Sequence, residues 1–199
     1  MEKTELKNIV ECLLFVSSKP LRVDKLAAIV EVPREDIEES LQALTLEYSS
    51  GNRPVFIQEV AGGVRIASRQ KYGPYVKKLF EGRLTYNLSA AALEALAIIA
   101  YRQPVTMQDI EQIRGVSSSG VVRGLLEKRL IKLAGRKEAL GRPLLYRTSE
   151  EFLEYFGLQS LSDIPPLEEL GIEEEVEGLA AGKQEESHVE VAEDNERNT

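Results

Sequence analysis

One order of helical periods, breakers and alternating strands occurs twice along this 199-residue chain, and few folds accommodate such a doubled plan. In the first copy, Leu6, Ile9, Val10, Leu13, Leu14 and Val16 recur at helical spacing, with polar Lys7, Asn8 and Glu11 opposite, until Pro20. Val23 to Val30 reads as a short second helix buried through Leu26, Ala27, Ile29 and Val30. Pro33 suits the first position of a third, in which Ile37, Leu41, Leu44 and Tyr48 repeat before Gly51 and Asn52 stop it. VFIQEVAGGVRIAS follows, two runs of strand formers around Gly62-Gly63, which predicts a hairpin. A further amphipathic helix over about Tyr72 to Phe80 closes this copy.

The second copy keeps the order with little identity of residues. Ser89 is a good N-cap for a helix carrying Leu93, Leu96, Ala97 and Ile99-Ala100, and Pro104 ends it. Thr106 can cap a short helix with Ile110 and Ile113 that stops near Gly115. Ser117 to Ser119 open a third, with Val121, Val122, Leu125 and Leu126 on one side. Ile131 to Gly135 and Leu144 to Thr148 read as paired strands around a Gly141–Pro143 tip. Ser149 caps a last helix that ends at Gly157. Helix, helix, helix, hairpin is the order of a winged helix. The expected fold class is therefore mainly α with small β-hairpin wings (α+β): two tandem winged-helix domains over 1–86 and 87–167, and an acidic tail over 168–199.

Charge supports this division. From Glu168 onward there are 12 acids against 2 bases, whereas the preceding residues hold 21 acids and 23 bases. The tail has few apolar groups to offset chain entropy and is expected to be disordered beyond about Gly171. It reads as a solubilising appendage, or as a tether or DNA mimic that keeps the body off DNA. The near-neutral body exerts no global pull on nucleic acid.

Several function classes lose support. No apolar run approaches the ~18 residues needed to span a bilayer; the longest, Ala90 to Tyr101, is broken by Glu94. MEKTELKNIV lacks the pattern of a signal peptide, so the expected location is the cytoplasm, with no membrane partner. Cys12 is the single cysteine, which excludes an intrachain disulfide and a cysteine zinc site. Lying among Val10, Leu13 and Leu14, it is expected to be a buried small hydrophobe. The one histidine, His188, lies in the tail, away from any scaffold that would orient it for acid–base work. Gly135 to Arg142 does not fit a phosphate loop, because Arg-Pro stands where Lys-Ser/Thr is needed. The chain is expected not to be an enzyme and to need no metal or cofactor.

A winged-helix DNA-binding transcriptional regulator is the main competitor. Its first candidate reading helix carries Glu35, Asp36, Glu38, Glu39 and Glu47, which phosphates would repel. The second offers Arg123, Lys128, Arg129 and Lys132, which read either as phosphate contacts or as a solvated face. Its start lacks the Asn, Gln or Arg that usually reads base edges.

LEALAIIAYRQPVT, IRGVSSSGV, GRKEALGRPLLY and EFLEYFGLQSLSDIPPL, with ECLLFVSSKPL and GGVRIASRQKYGPYV before them, resemble the ScpB family of bacterial segregation and condensation proteins over about Leu6 to Leu167. The resemblance implies two winged-helix domains and a homodimer paired through the N-terminal domains. It implies binding of the kleisin ScpA and, through ScpA, association with an SMC ATPase, with a role in chromosome condensation, partition and cell division. DNA and the nucleoid would then be reached indirectly.

Leu88 to Tyr101 is apolar around most of its circumference, so its outer face must be covered by another part of the chain or by a partner. On the partner reading, ScpA contacts are expected at Leu93, Ile98, Tyr101, Arg102, Gln103, Pro104, Ile110, Ile113 and Arg114. The dimer contact is expected from Leu6, Ile9 and Leu13 of the first helix or from Tyr72, Tyr75, Val76 and Leu79 of the fourth; the sequence leaves that choice open.

Overall fold

A computed structural model of the chain describes residues 1–50, 52–80 and 88–166. Gly171, His188 and the rest of the acidic tail lie outside the described residues. Met1–Ile164 form one unit, which contains two separate hydrophobic cores.

The first core is built by α1 (Lys3–Val16), α2 (Val23–Val30) and α3 (Arg34–Ser50). Leu6, Val10 and Leu14 of α1 meet Ile37, Leu41, Leu44 and Tyr48 of α3, with Leu26 of α2 fully enclosed. The stripes are those the periodicity predicts, apart from Val16, exposed at the end of α1, and two further corrections. Ile29 of α2 is half exposed, because this eight-residue helix buries only Leu26 fully and Ile29 points to its outer side. Cys12 is exposed, since the three-to-four-residue stripe of Leu6, Val10 and Leu14 leaves it on the opposite face of α1.

The antiparallel hairpin of β1 (Val55–Val60) and β2 (Gly63–Ser68) follows. Its turn lies one residue earlier than the glycine pair suggests: Val60 faces Gly63, and the turn residues are Ala61 and Gly62 at φ 51° and 68°. Both positive angles are those of a type I′ turn, which matches the twist of the strands. Gly63 serves a different need. A Cβ there would lie 3.0 Å from the backbone C and O of Leu21. Leu21 and Val64 exchange backbone hydrogen bonds of 2.9 Å each, so the segment after α1 adds a short third edge to the hairpin. α4 (Gly73–Leu79) closes this half without burying a single side chain.

The second half repeats the order with α5 (Ala90–Arg102), α6 (Met107–Arg114), α7 (Ser119–Glu127), the hairpin of β4 (Ile131–Arg136) and β5 (Leu144–Thr148), and α8 (Glu150–Phe156). A two-residue strand, β3 (Val105–Thr106), pairs with β5 and gives the sheet order β3-β5-β4. It stands where Leu21 stands in the first half. Ala95, Leu96, Ile99, Ile110, Val122, Leu125, Tyr146 and Phe152 fill this core. Local chemistry sets its helix ends. Ser89 accepts from the Ala92 N–H, Thr106 and Asp109 form a reciprocal capping box, and Ser149 accepts from the Phe152 N–H. Gly115 ends α6 at φ 71°, a left-handed angle that costs glycine little.

The halves also touch. The Ala61 and Gly62 N–H groups donate to the Leu158 and Gln159 carbonyls at 2.8 and 3.0 Å. Arg22 pairs with Glu150 at 3.0 Å. Among the described residues there are eight α-helices and two small antiparallel sheets, and no helix is long and apolar enough to cross a membrane.

Candidate partner-binding surfaces

The residues expected to meet a partner on the second half fall into three groups. Leu93, Arg102 and Pro104 are exposed, and Leu93 recurs with Ala97 and Tyr101 at four-residue spacing along the outer side of α5. Ile98, Tyr101 and Ile113 are half-buried. Gln103 and Arg114 are held by the protein's own groups, and Ile110 is wholly internal.

Ile110 is 0% exposed and belongs to the second core, so its expected place at the surface is corrected. α6 turns Ile110 inward, which leaves Ile113 half-buried at the rim. Arg114 is the next departure. Its side chain is only 6% exposed. It donates to the Glu94 carboxylate at 3.0 and 3.1 Å and to the Ser118 hydroxyl at 2.7 Å. One planar fork thus joins α5, α6 and the start of α7, as arginine's fixed donor geometry allows. Arg114 shapes the surface from beneath rather than presenting a free charge.

Gln103 ends α5, and the Gln103–Pro104 peptide is cis. Its side-chain oxygen accepts from the Thr148 N–H and hydroxyl, while its amide donates to the Ala100 carbonyl at 3.0 Å. Gln103 and Pro104 also border an open groove of about 510 Å³, whose walls include Lys132, Arg147, Leu153 and Leu161. At the other end of β3, burial pushes the Asp109 carboxyl up. The Thr106 N–H and hydroxyl, with the Lys137 charge, outweigh that effect and hold it below the usual carboxylate range.

On the first half, the two candidate contact faces differ sharply in exposure. Leu6 lies in the core, Leu13 is half-buried against it, and Ile9 is half-buried. α4 presents Tyr75 at 72% and Leu79 at 75% exposure, with Val76 and Phe80 beside them. Tyr72, just before α4, is half-buried. The far end of α1 adds Phe15 and Val16, both exposed. Periodicity marks Val16 as one more core position; only the point where α1 runs out past its neighbours shows otherwise.

Three of the five acids of α3 are engaged in ion pairs. Lys3 meets Glu39, Lys7 meets Glu47, and Arg34 meets Glu38. On α7, Arg123 pairs with Glu127 at 3.0 Å. No group of three or more metal-ligating side chains occurs among the described residues.

Residues 8–167 match the family model described as segregation and condensation complex subunit ScpB. A segregation and condensation protein B from Syntrophotalea carbinolica is 48% identical over 169 residues, covering 85% of each chain. The crystal structure of ScpB from Mycobacterium tuberculosis is 36% identical, covers 79% of this chain and 98% of its own, and superposes with a TM-score of 0.39. A crystal structure of a dimer of an ScpB N-terminal domain complexed with an ScpA peptide is 28% identical, covers 38% of this chain and 95% of its own, and has a TM-score of 0.36. It is the extent of the sequence match that fixes kinship here.

Proposed function

Because the chain belongs to the ScpB family of chromosome segregation and condensation proteins, we propose that it is a non-catalytic, homodimeric adaptor that holds the kleisin ScpA and, through ScpA, an SMC ATPase. The observation that carries this reading is the match of residues 8–167 to the ScpB model, which spans both halves of the described fold. Each half is a winged-helix domain on this reading, the first over 1–86 and the second over 87–167. The complex works in the cytoplasm on the nucleoid, and its ATPase belongs to the SMC partner. A winged-helix transcriptional regulator finds no support in the family.

The first domain dimerises through α4. A two-fold contact uses each residue twice, so Tyr75, Val76 and Leu79 would cover their own copies and remove a contiguous apolar face from water. The second domain holds ScpA on the outer side of α5, where Leu93 and Tyr101 flank Ala97, with Arg102 and Pro104 at its end. Gln103, Ile110 and Arg114 keep that face in shape.

Light scattering on the eluting protein, alone and mixed with its organism's ScpA, tests this reading. A dimer is expected, shifting to a larger stable species with ScpA. Leu79→Glu should give a folded monomer, and Leu93→Glu a dimer with weakened ScpA binding. A protein that ignores ScpA would refute the adaptor function. A Leu79→Glu variant that remains a dimer would refute only the use of α4.

A further inference from the structure

We propose that the second hairpin, β4–β5, binds the phosphate backbone of duplex DNA without regard to sequence. From Lys128 to Arg147 the chain carries seven bases and one acid, Glu138, while the rest of the sequence up to Leu167 carries 16 bases and 20 acids. A nearly neutral body thus concentrates its positive charge on one hairpin and its approach.

Register makes the concentration sharper. Lys132 of β4 lies directly opposite Arg147 of β5. Cross-strand partners share a face, and like charges in this position oppose pairing of the strands. Both side chains are exposed, and neither makes an ion pair among the described residues. Glu150 borders the same groove, but it pairs with Arg22. Arg129, Lys137 and Arg142 are likewise exposed and outside any ion pair among the described residues. A cationic pair that weakens its own sheet and has no anion at hand calls for an anion from outside.

The spread of charge selects a polyanion with a regular backbone over a single acidic peptide. Lys132 to Arg136 spans four residue-to-residue rises of strand, about 13 Å at ~3.3 Å each, or about four steps of duplex at ~3.4 Å each. The groove at the base of the hairpin accounts for Lys132 and Arg147 only, whereas Lys137 and Arg142 lie towards the tip. Neither Asn nor Gln occurs between Lys128 and Arg147, so the side chains best suited to reading adenine are missing. Backbone contact of this kind positions a protein on DNA without selecting a sequence. It goes beyond the adaptor function, in which ScpA and SMC provide the route to DNA, and would hold the adaptor directly against the duplex.

The test uses the full chain and two unrelated duplexes of about 30 base pairs, with anisotropy followed as salt is raised. Lys132→Gln, Lys137→Gln and Arg147→Gln are combined in one variant, because none of these side chains makes a hydrogen bond that its loss would break among the described residues. Wild type should bind both duplexes alike. The log–log salt slope of the triple variant should be shallower by about 2 to 3, at ~0.9 per lost phosphate contact. Its affinity at low salt should fall at least ~10-fold, while its elution with ScpA is unchanged. An equal slope in wild type and variant would overturn the proposal. So would a strong preference for one duplex, or tighter binding of a poly-glutamate peptide than of DNA at matched charge; the peptide result would assign the surface to an acidic protein instead.

Discussion

The side-chain oxygen of Gln103 accepts two hydrogen bonds from Thr148, one from its N–H at 2.8 Å and one from its hydroxyl at 2.9 Å. Thr148 is buried at the end of β5, so one amide fastens the end of α5 to a strand 45 residues later. Gln103→Ala would leave the buried N–H unsatisfied, and we predict a loss of about 1 to 3 kcal/mol. Gln103→Glu keeps the acceptor and should lose clearly less. Urea denaturation of the two variants compares them, and equal losses would show that the oxygen is not what matters.

Ile110 and Leu93 separate core from surface. Ile110→Ala removes a fully enclosed side chain and is predicted to cost about 2 to 5 kcal/mol. Leu93→Ala, on an exposed position, should change stability by less than about 0.5 kcal/mol yet weaken ScpA binding. Calorimetric melts paired with an ScpA titration read both quantities. If Leu93→Ala left affinity intact, the outer side of α5 would not be the kleisin surface.

Arg114→Lys tests the fork. A lysine keeps the charge but can satisfy Glu94 and Ser118 together only poorly. Arg114→Ala also removes the donor to the enclosed Ser118 hydroxyl, which keeps only its own hydrogen bond to the Val116 carbonyl. The predicted losses are about 1 kcal/mol for lysine and about 2 to 3 for alanine, discounted because Glu94 is largely exposed. Alanine no worse than lysine in a urea midpoint would argue against the fork that joins Glu94 and Ser118 as the source.

The Asp109 carboxyl gives the second half an acid-sensitive cap. Its folded pKa lies below the ordinary 3.8, so its contribution is complete above that value and is lost as pH falls through the folded one. Asp109→Asn should therefore be less stable than wild type at pH 7, by about 1 kcal/mol as for other caps. The gap should close as pH drops below about 4. A gap that persisted at pH 2 would mean that shape rather than charge sustains the box.

Short-range chemistry was legible in the residues alone. Val23–Val30 appears in the structure with the bounds its spacing predicts; the side chains of Ser89, Thr106 and Ser149 cap helix starts, and Gly115 and Gly157 end helices through left-handed backbone angles. Pairings between distant segments were not. The Leu21–Val64 bridge and β3 against β5 involve too few residues to leave a period-two pattern. The turn shifted from Gly62-Gly63 to Ala61-Gly62 because Gly63 is needed beside Leu21, a long-range contact. Cys12, Ile29 and Ile110 were misplaced for one reason: apolar spacing identifies a helix and its rough stripe, but neighbouring helices decide how wide the stripe is. Lys132 facing Arg147 depends on strand register, which fourteen intervening positions with an irregularity between Leu133 and Arg136 conceal.

α4 has seven residues and buries none of them. A helix that short is scarcely stable in water on its own, and the core beneath does little to hold it. In the proposed homodimer, its backbone amides would exchange with solvent at rates set by how often two copies part, not by how often either one unfolds. Exchange at Val76 to Phe80 would then slow as the protein is concentrated while exchange in α3 stayed the same, and the line between folding and assembly in this chain would fall within two turns of helix.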